Sequence, residues 1–370
     1  MSKIRLLQFP FSQWSGVTAY ATQNWKYLNR ERFECDFVVV RNTFDPDWEF
    51  RLLQSGAGIK TFFYSADREP ERYADKLYKM LYGQYDVVHL HTSSWKRLLI
   101  EQISVACGIP KIIVHSHNTG IDLEDAADRR AAEERHYNIR MQFGPELATD
   151  FCACSRAAAD WLFGEQIPCN QIKILHNAIE AERFIYNCAI REKYRQEFGL
   201  DRAFVVGHVG RFSHQKNHQF LLDVFQQVCK RVSNPRLLLI GTGPLEQEIQ
   251  KKARQLKIHD KVIFAGQRGD VPNMLQAMDV FCLPSKFEGL PLVLVEAQAS
   301  GLQCIASDLI DHEICITENI SMLNLNAERW AEMIVGLSQG YVRKNMYDTI
   351  TDAGYNIKIQ IQKVEQLYSQ

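Results

Sequence analysis

The feature that most constrains the fold is a repeated alternation of short apolar runs with amphipathic stretches. In the first half, runs typical of buried strands cover residues 4–9, 33–40, 59–63, 86–91, 111–115 and 150–154. In the second half, similar runs cover residues 204–209, 236–240, 262–264, 279–283 and 303–306. Helix-like stretches, such as residues 17–28, 71–81 and 95–107, separate these runs, and this pattern is typical of parallel sheets built from βαβ units. The alternation therefore predicts an α/β protein with two doubly wound, Rossmann-like domains.

The length of the chain agrees with two domains. At 370 residues it exceeds what one hydrophobic core usually organises. The alternation lapses near residues 176–184, so residues 1–180 are predicted to form the first domain and residues 181–354 the second. A last amphipathic stretch, residues 355–370, is predicted to be a helix that packs back onto the first domain.

Composition excludes several classes of function. The formal net charge is -1, so a general polyanion-binding role has no support and we expect no nucleic-acid partner. No apolar run approaches the roughly 18 residues of a membrane-spanning helix, and we expect a cytoplasmic protein. The 10 cysteines are scattered, several of them inside apolar runs, as expected of reduced core residues.

The residues that follow each strand are the most informative, because open α/β sheets bind ligands beyond the carboxyl ends of their strands. Gly16 and Val17 follow the first strand, where a glycine lets the backbone approach a phosphate closely. Arg211 and Lys216 follow the first strand of the second half. Two cations beside the N-terminus of a helix would neutralise a diphosphate, so this loop is the strongest phosphate site in the sequence.

Four histidines follow two neighbouring strands of the first half: His89, His91, His115 and His117. Residues two apart share a strand face, so each pair could point into the ligand crevice. Four imidazoles could suggest zinc, but no carboxylate or thiolate lies at ligand spacing with them, and we expect no metal. His117 lies furthest beyond its strand and is the best candidate for a polar contact to substrate.

Two glutamates stand in an otherwise apolar run, Lys286-Phe-Glu-Gly-Leu-Pro-Leu-Val-Leu-Val-Glu-Ala-Gln-Ala-Ser-Gly301. Pro291 suits the first turn of a helix and Gly301 its end, which places Glu288 in the preceding loop and Glu296 in the helix. No Ser, Thr, Asp or Asn directly precedes Pro291 to cap the first N–H groups. An anionic or hydroxyl-rich ligand, or water, would have to accept their hydrogen bonds.

Taken together, these motifs resemble the retaining nucleotide-sugar glycosyltransferases with the two-domain GT-B fold, the large group called glycosyltransferase family 4. The resemblance covers nearly the whole chain. It rests on Gly16-Val17, His115-Ser-His-Asn118, Asn177-Ala-Ile179 with Phe184, Gly210-Arg211 followed by Lys216-Asn217, Gly241-Thr-Gly-Pro244, and Glu288 with Glu296. The His-Ser-His-Asn segment is most similar to transferases that build capsular, exopolysaccharide or related bacterial cell-surface glycans.

The resemblance implies a role for each matching residue. Arg211 and Lys216 would hold the donor diphosphate, which the backbone at Gly16 and Val17 would approach from the other domain. Glu288 would bond donor hydroxyls. The remaining contacts that the resemblance implies are His117 beside the donor sugar and reaction centre, Glu296 at the ribose hydroxyls, the N–H groups of Gly289, Leu290 and Leu292 near the donor, and the loop at Arg268 near the nucleobase.

The implied reaction is transfer of a hexose-type sugar from a UDP-sugar to a glycan or lipid-linked glycan, without a metal or other cofactor. The charged stretch at residues 119–149 would contact the acceptor. Aromatic and basic residues at Trp25-Lys-Tyr27 and Trp95-Lys-Arg97 could touch the inner membrane surface. Two alternatives stay open: a nucleotide-sugar-binding regulatory protein without turnover, and a nucleotide-sugar epimerase on the same fold.

Overall fold

The structure, a computed structural model, describes residues 2–11, 16–40, 46–64, 66 and 68–370. The chain divides into two compact units. The first contains Met1–Gly120, Arg130–Ala178 and Ile357–Gln370, and the second contains Ile121–Arg129 and Ile179–Asn356. Each unit is built on one parallel sheet with helices, so the predicted fold class of two Rossmann-like α/β domains is confirmed.

The sheet of the first unit has seven parallel strands in the described part of the chain. They are β1 (Ile4–Phe11), β2 (Phe33–Val40), β3 (Gly58–Phe62), β4 (Val87–Thr92), β5 (Lys111–Ser116), β6 (Asp150–Ala153) and β7 (Ile172–Ile174). Their order across the sheet is β3-β2-β1-β4-β5-β6-β7. The direction of winding reverses between β1 and β4, which is where a doubly wound sheet opens a ligand crevice.

The helices of this unit lie between its strands in the chain, with one addition from the C-terminus. They are α1 (Gly16–Tyr27), α2 (Pro46–Gln54), α3 (Pro70–Leu81), α4 (Leu99–Ala106), α5 (Ala126–Arg140), α6 (Arg156–Leu162) and α14 (Ile357–Ser369). Residues 126–129 of α5 are grouped with the second unit. Ile361, Val364 and Leu367 of α14 are buried in one core cluster with Leu6 of β1 and Trp25 of α1. Their spacing of three residues places them on one helix face, which explains why α14 docks here.

The second unit has a sheet of six parallel strands in the same style. They are β8 (Phe204–Val209), β9 (Pro235–Ile240), β10 (Val262–Phe264), β11 (Val280–Leu283), β12 (Gln303–Ser307) and β13 (Ile320–Leu323), in the order β10-β9-β8-β11-β12-β13. The helices are α7 (Cys188–Glu197), α8 (His218–Val228), α9 (Glu246–Gln255), α10 (Val271–Ala277), α11 (Leu292–Ala299), α12 (Ala327–Leu337) and α13 (Tyr347–Asp352). Winding reverses between β8 and β11, so the loops after these two strands flank the expected crevice.

The core of the second unit follows from sequence periodicity. In α8, Leu221, Leu222, Phe225 and Val228 are buried, and this spacing forms a single apolar stripe. Trp330 of α12 is fully buried against that helix. Helix α8 thus holds one end of the loop that follows β8, and the position of that loop is fixed by the core.

Some sequence predictions about local structure are wrong. The predicted helix at residues 95–107 begins only at Leu99, because Trp95 is held in the preceding loop. Its backbone N–H donates to Nδ1 of His136 (2.9 Å) and its indole N–H donates to the carbonyl of Leu162 (2.7 Å). Trp25 and Trp95 are both buried. Neither ring can insert into a membrane surface, so the aromatic part of that expectation is wrong. Lys26 and Lys96 are exposed, and membrane contact through them stays a prediction.

No helix in the described ranges is both long enough and apolar enough to span a bilayer.

Candidate functional site

The two neighbouring loops at the winding reversal of the second unit bring together a cation and a carboxylate. Nζ of Lys216, in the loop between β8 and α8, lies 2.6 Å from Oε1 of Glu288, in the loop between β11 and α11. The side chains are only 16% and 8% exposed. Because so little solvent reaches this ion pair, removing either partner would leave an uncompensated buried charge.

Gln215 and Asp122 fix the geometry of this pair. The amide Nε2 of Gln215 donates to Oε2 of Glu288 (3.2 Å) and to the carbonyl of Phe287 (2.9 Å). The backbone N–H of Gln215 donates to Oδ1 of Asp122 (2.9 Å), from the segment 121–129 that belongs to this unit. Neither residue is among those predicted from the sequence. The position of Gln215 beside Lys216 was an available signal, whereas nothing local marks Asp122.

Arg211 lies in the same loop as Lys216 but in a different environment. Its side chain is exposed and makes no hydrogen bond or ion pair with another described residue. The backbone beneath it is tightly packed: the N–H of Phe212 donates to the carbonyl of Thr242 (3.0 Å). A Cβ at Gly243 would lie 2.5 Å from the carbonyl oxygen of Phe212, and one at Gly241 would lie 2.1 Å from that of Gly210. These two glycines therefore allow the Arg211 loop to reach its position.

Helix α11 begins close to the predicted position. Pro291 is its N-cap rather than its first residue, and no side chain caps the first turn. Gly289 and Leu290 are buried in the preceding loop, and Leu292 is the first helical residue. Glu296 lies one turn further into the helix. Loss of solvation raises the pKa of its carboxyl to about 7, while the charge of Arg183 acts in the opposite direction.

Arg268 lies apart from these loops. It follows β10, which is separated from β8 by β9. Its guanidinium forms an ion pair with Asp270, at 2.8 Å from Nε to Oδ1, and this pairing raises the pKa of Arg268. The side chain is therefore already engaged, and only the backbone of this loop is left to meet a base in the way the resemblance implies.

The four histidines of the first unit form a hydrogen-bonded cluster with Gln8 and Tyr368. The contacts are Nδ1 of His89 to Oη of Tyr368 (2.8 Å), Nε2 of His89 to Nδ1 of His115 (3.1 Å), Nδ1 of His91 to Nε2 of His117 (2.8 Å), and Nε2 of His91 to Oε1 of Gln8 (2.7 Å). His89, His91 and His115 are buried, so the expectation that each pair points into a crevice is wrong for these three. His117 retains partial exposure. Burial lowers the pKa of His89 and of His117 to about 3, so both imidazoles are neutral at pH 7.

The same cluster has the donor set of a metal site. Ring nitrogens of His89, His91 and His115 lie within 4.8 Å of one another. Among the described residues, five of their six ring nitrogens already have a hydrogen-bond partner, and Nε2 of His115 has none. Binding an ion would break several of these contacts. The hydrogen-bonded arrangement accounts for most of the polar atoms without an ion.

Gly16 and Val17 lie at the start of α1. Gly16 is exposed, with open space where a Cβ would stand, and Val17 packs against the core of the first unit. The rest of the predicted phosphate loop, residues 12–15, lies outside the described residues. Gly16, Val17 and the four histidines belong to the first unit, while Arg211, Lys216, Arg268 and the predicted site residues between 288 and 296 belong to the second.

Comparisons with known proteins find similarity to glycosyltransferases. The family model described as "Glycosyl transferases group 1" matches residues 190–315, inside the second unit. The putative glycosyltransferase EpsF of Bacillus subtilis (strain 168) is 29% identical, over 96% of this chain and 93% of the relative. A UDP-Gal:alpha-D-GlcNAc-diphosphoundecaprenol alpha-1,3-galactosyltransferase of Escherichia coli is 26% identical over the same shares of the two chains.

Solved structures match over the whole length. HepE of Anabaena, crystallised in complex with UDP and glucose, superposes with a TM-score of 0.75 at 17% identity, covering 99% of this chain and 100% of that one. Sucrose-phosphate synthase of Thermosynechococcus elongatus gives a TM-score of 0.76 at 18% identity, covering 100% and 99%. At these identities the structural matches establish the fold. Together with the sequence matches and the two parallel sheets, they identify the chain as a glycosyltransferase with the GT-B fold.

Proposed function

We propose that this glycosyltransferase moves a hexose-type sugar from a UDP-sugar to a glycan or lipid-linked glycan during synthesis of a cell-surface polysaccharide, with retention of anomeric configuration. The observation that carries the proposal is the Lys216–Glu288 pair at the winding reversal, with the exposed Arg211 in the same loop. The E. coli relative is named for a UDP-Gal donor and a diphosphoundecaprenol-linked acceptor. HepE was crystallised with UDP.

The chemistry of the site suits a diphosphate leaving group. As the glycosidic bond to UDP breaks, negative charge accumulates on the phosphate oxygens. Lys216 and Arg211 supply fixed positive charge there, and the uncapped first turn of α11 supplies N–H groups beside it. Glu288 would accept hydrogen bonds from donor hydroxyls once Lys216 turns toward the diphosphate, and Glu296 would accept from the ribose.

His117 suits binding better than proton transfer. An imidazole with a pKa of about 3 is a weak base at pH 7, so we propose that it hydrogen-bonds the donor sugar. The acceptor proton would then pass to the departing phosphate. No step in this scheme uses a metal, and transfer activity should be unchanged after dialysis against EDTA. A loss of activity that zinc restores would instead assign the histidine cluster a metal.

The test is a ligand screen followed by a transfer assay. UDP should raise the Tm of the full chain more than GDP or ADP does, because a bound ligand stabilises the folded state by mass action. UDP-sugars should then label a diphosphoundecaprenol-linked acceptor. Arg211→Ala should lose most of this transfer, whereas Arg254→Ala, at an exposed position on α9, should retain it. Binding without transfer would favour a regulatory protein, and conversion of the sugar without acceptor would favour an epimerase.

A further inference from the structure

The second unit contains a cleft of about 750 Å³ at the N-terminal ends of its strands. Lys216 and Glu288 lie beyond the opposite, C-terminal ends. Its walls include the start of β8 at Phe204 and the residue before β11, Asp279. Both positions lie at the N-terminal ends of strands of a parallel sheet, whereas the proposed donor loops follow the C-terminal ends. The cleft is therefore separate from the site described above.

Arginine dominates the lining of this cleft. Arg191, Arg202, Arg231 and Arg343 line it, together with a single acidic residue, Asp279. A volume of this size lies within the roughly 300–1,000 Å³ of small-molecule sites. Four guanidinium groups around one cavity repel one another, so the cleft favours an anionic occupant.

The one carboxylate is already satisfied by other partners. Oδ1 of Asp279 pairs with Arg191, and Oδ2 accepts from Arg195 (3.2 Å) and from the backbone N–H of Val205 (2.7 Å). Arg191 also donates to the carbonyls of Gln276 (2.9 Å) and Met278 (2.7 Å). These contacts give Arg191 and Arg195 a structural role. They leave no acidic group to neutralise the rest of the cleft.

Among the remaining cations, Arg343 gives the clearest evidence for an anionic ligand. It is partly buried, its guanidinium lies 4.9 Å from the centre of the Tyr186 ring, and it donates to the carbonyl of Met278. Burial lowers the pKa of Arg343, and the charge of Arg191 acts in the same direction, whereas Tyr341 and the charge of Asp279 act in the opposite direction. No described carboxylate lies within ion-pair distance of it. Asp279 is shared with Arg191 and Arg195, so this partly desolvated cation has no direct ion pair, and an anion in the cleft would stabilise it.

Arg202 and Arg231 complete the cleft at its rim. Both are exposed, and neither side chain has a hydrogen bond or ion pair within the described part of the chain. Their five N–H donors each are free to form the bidentate contacts that guanidinium groups make with phosphate oxygens.

We propose that this cleft is a second ligand site that binds a phosphate group through Arg202, Arg231 and Arg343. Two sources present the same group: a free phosphorylated small molecule and the headgroup of an anionic phospholipid. Binding here would be independent of the donor loops, since none of their residues lines the cleft.

The first arm of the test uses inorganic pyrophosphate and isothermal titration calorimetry. The background is the full-length Arg211→Ala/Lys216→Met/Glu288→Gln triple variant, which removes the charges that the donor proposal uses and keeps a neutral pair of similar size at positions 216 and 288. We expect saturable binding of pyrophosphate in this background. Adding Arg202→Ser and Arg231→Ser should weaken it by about tenfold or more, because two charge-assisted contacts are lost.

The control removes the same amount of charge elsewhere on the second unit. Arg254→Ser/Arg329→Ser changes two exposed arginines outside the cleft and should leave pyrophosphate affinity within about twofold of the background. Thermal melting of each variant verifies that it is folded.

The second arm is flotation of the same proteins with vesicles of phosphatidylglycerol and of phosphatidylcholine. Binding to phosphatidylglycerol alone that the Arg202→Ser/Arg231→Ser change abolishes would support the site and assign its ligand to a lipid headgroup. The proposal is overturned if neither pyrophosphate nor vesicles bind. It is equally overturned if the rim variant and the control variant bind both probes alike.

Discussion

At the scale of single residues, the Lys216–Glu288 pair connects stability to function. Because both side chains are mostly buried, a change at one leaves the charge of the other unpaired. We expect Lys216→Met to lower the free energy of unfolding by about 3 kcal/mol, within the range measured for broken buried pairs. The Lys216→Met/Glu288→Gln double variant should recover most of that loss while remaining inactive. Urea denaturation of the two single variants and the double variant measures the coupling.

An exposed ion pair of the same unit provides the control. Nζ of Lys252 lies 2.7 Å from Oδ2 of Asp223, whose side chain is 45% exposed. Lys252→Met should cost less than about 1 kcal/mol, because solvent screens this pair. If Lys216→Met costs no more than Lys252→Met, or if the two single changes at Lys216 and Glu288 add without coupling, the pair is not the buried unit described here.

A second prediction at this scale concerns Glu296 and the pH dependence of UDP binding. With a pKa near 7, its carboxyl is partly protonated in the free protein at pH 7. Hydrogen bonds from ribose hydroxyls favour the ionised form, so binding of UDP should lower this pKa and release about half a proton at pH 7. Affinity for UDP should therefore rise between pH 6 and pH 8. Calorimetry in two buffers of different ionisation enthalpy measures the proton release.

The control for this prediction is Glu296→Gln, which keeps the shape but cannot titrate. In that variant the proton release and the pH dependence attributed to this carboxyl should disappear. Proton uptake by the wild-type protein, or an unchanged release in Glu296→Gln, would assign the linkage to another group.

At the scale of elements, the glycines of Gly241-Thr-Gly243 determine where the Arg211 loop can lie. A methyl group at Gly243 would stand 2.5 Å from the carbonyl oxygen of Phe212, a backbone atom that cannot move aside alone. We expect Gly243→Ala to displace the loop and to weaken UDP binding by about tenfold or more, since a phosphate contact depends on position to within an ångström. Calorimetry gives the affinity, and thermal melting shows the accompanying loss of stability.

Gly336 in α12 is the matched control. A Cβ there meets nothing within 4 Å, and Ala is the better helix former by about 1 kcal/mol. Gly336→Ala should leave UDP affinity unchanged and raise the Tm. Equal affinities for the two alanine variants would show that the close approach at Gly243 does not position the Arg211 loop.

The elements also show what the sequence could predict. Apolar runs such as the one at residues 204–209 predicted their strands correctly, because a strand buried on both faces is apolar along most of its length. The three-residue edge strand β7 and the partly buried β13 have no such run and were missed. Lys216 and Glu288 could be assigned to one donor site through the family resemblance. The contact of Asp122 with Gln215 could not, because 93 residues separate them and no local pattern records the docking.

At the scale of the whole molecule, the two units carry different numbers of buried titratable groups. Burial lowers the pKa of five histidines in the first unit: His89, His91, His115, His117 and His136. In the second unit burial does so for His208 and His218, and in part for His214. Among the described residues, each unit also holds one carboxyl whose pKa burial raises to about 7, Glu101 in the first and Glu296 in the second.

These shifts have opposite signs for stability. A histidine with a lowered pKa binds its proton more readily in the unfolded chain. Its contribution to the stability of the folded state is therefore complete above about pH 6.5 and is lost as the pH falls toward 3. A glutamate with a raised pKa contributes most at low pH and loses its contribution as the pH rises toward 7. In the first unit five imidazoles oppose one carboxyl. Asp150, whose pKa is lowered by Lys173, Thr149 and Lys111 despite its burial, acts in the same direction as the histidines.

We therefore expect the first unit to open before the second as the pH is lowered from 7 to about 4.5. At pH 5 one fully buried imidazole with a pKa near 3 already costs on the order of 2 kcal/mol, a large fraction of the stability of a domain. Hydrogen exchange with mass spectrometry, corrected for the pH dependence of intrinsic exchange, follows peptides of both units in one sample. Peptides from β4 and β5 should lose protection at a higher pH than peptides from β8 and β11. Simultaneous loss of protection, or earlier loss in the second unit, would mean that the histidine cluster does not govern acid stability. The hydrogen bonds from His89 and His91 to Tyr368 and Gln8 would then contribute little to the stability of the first unit.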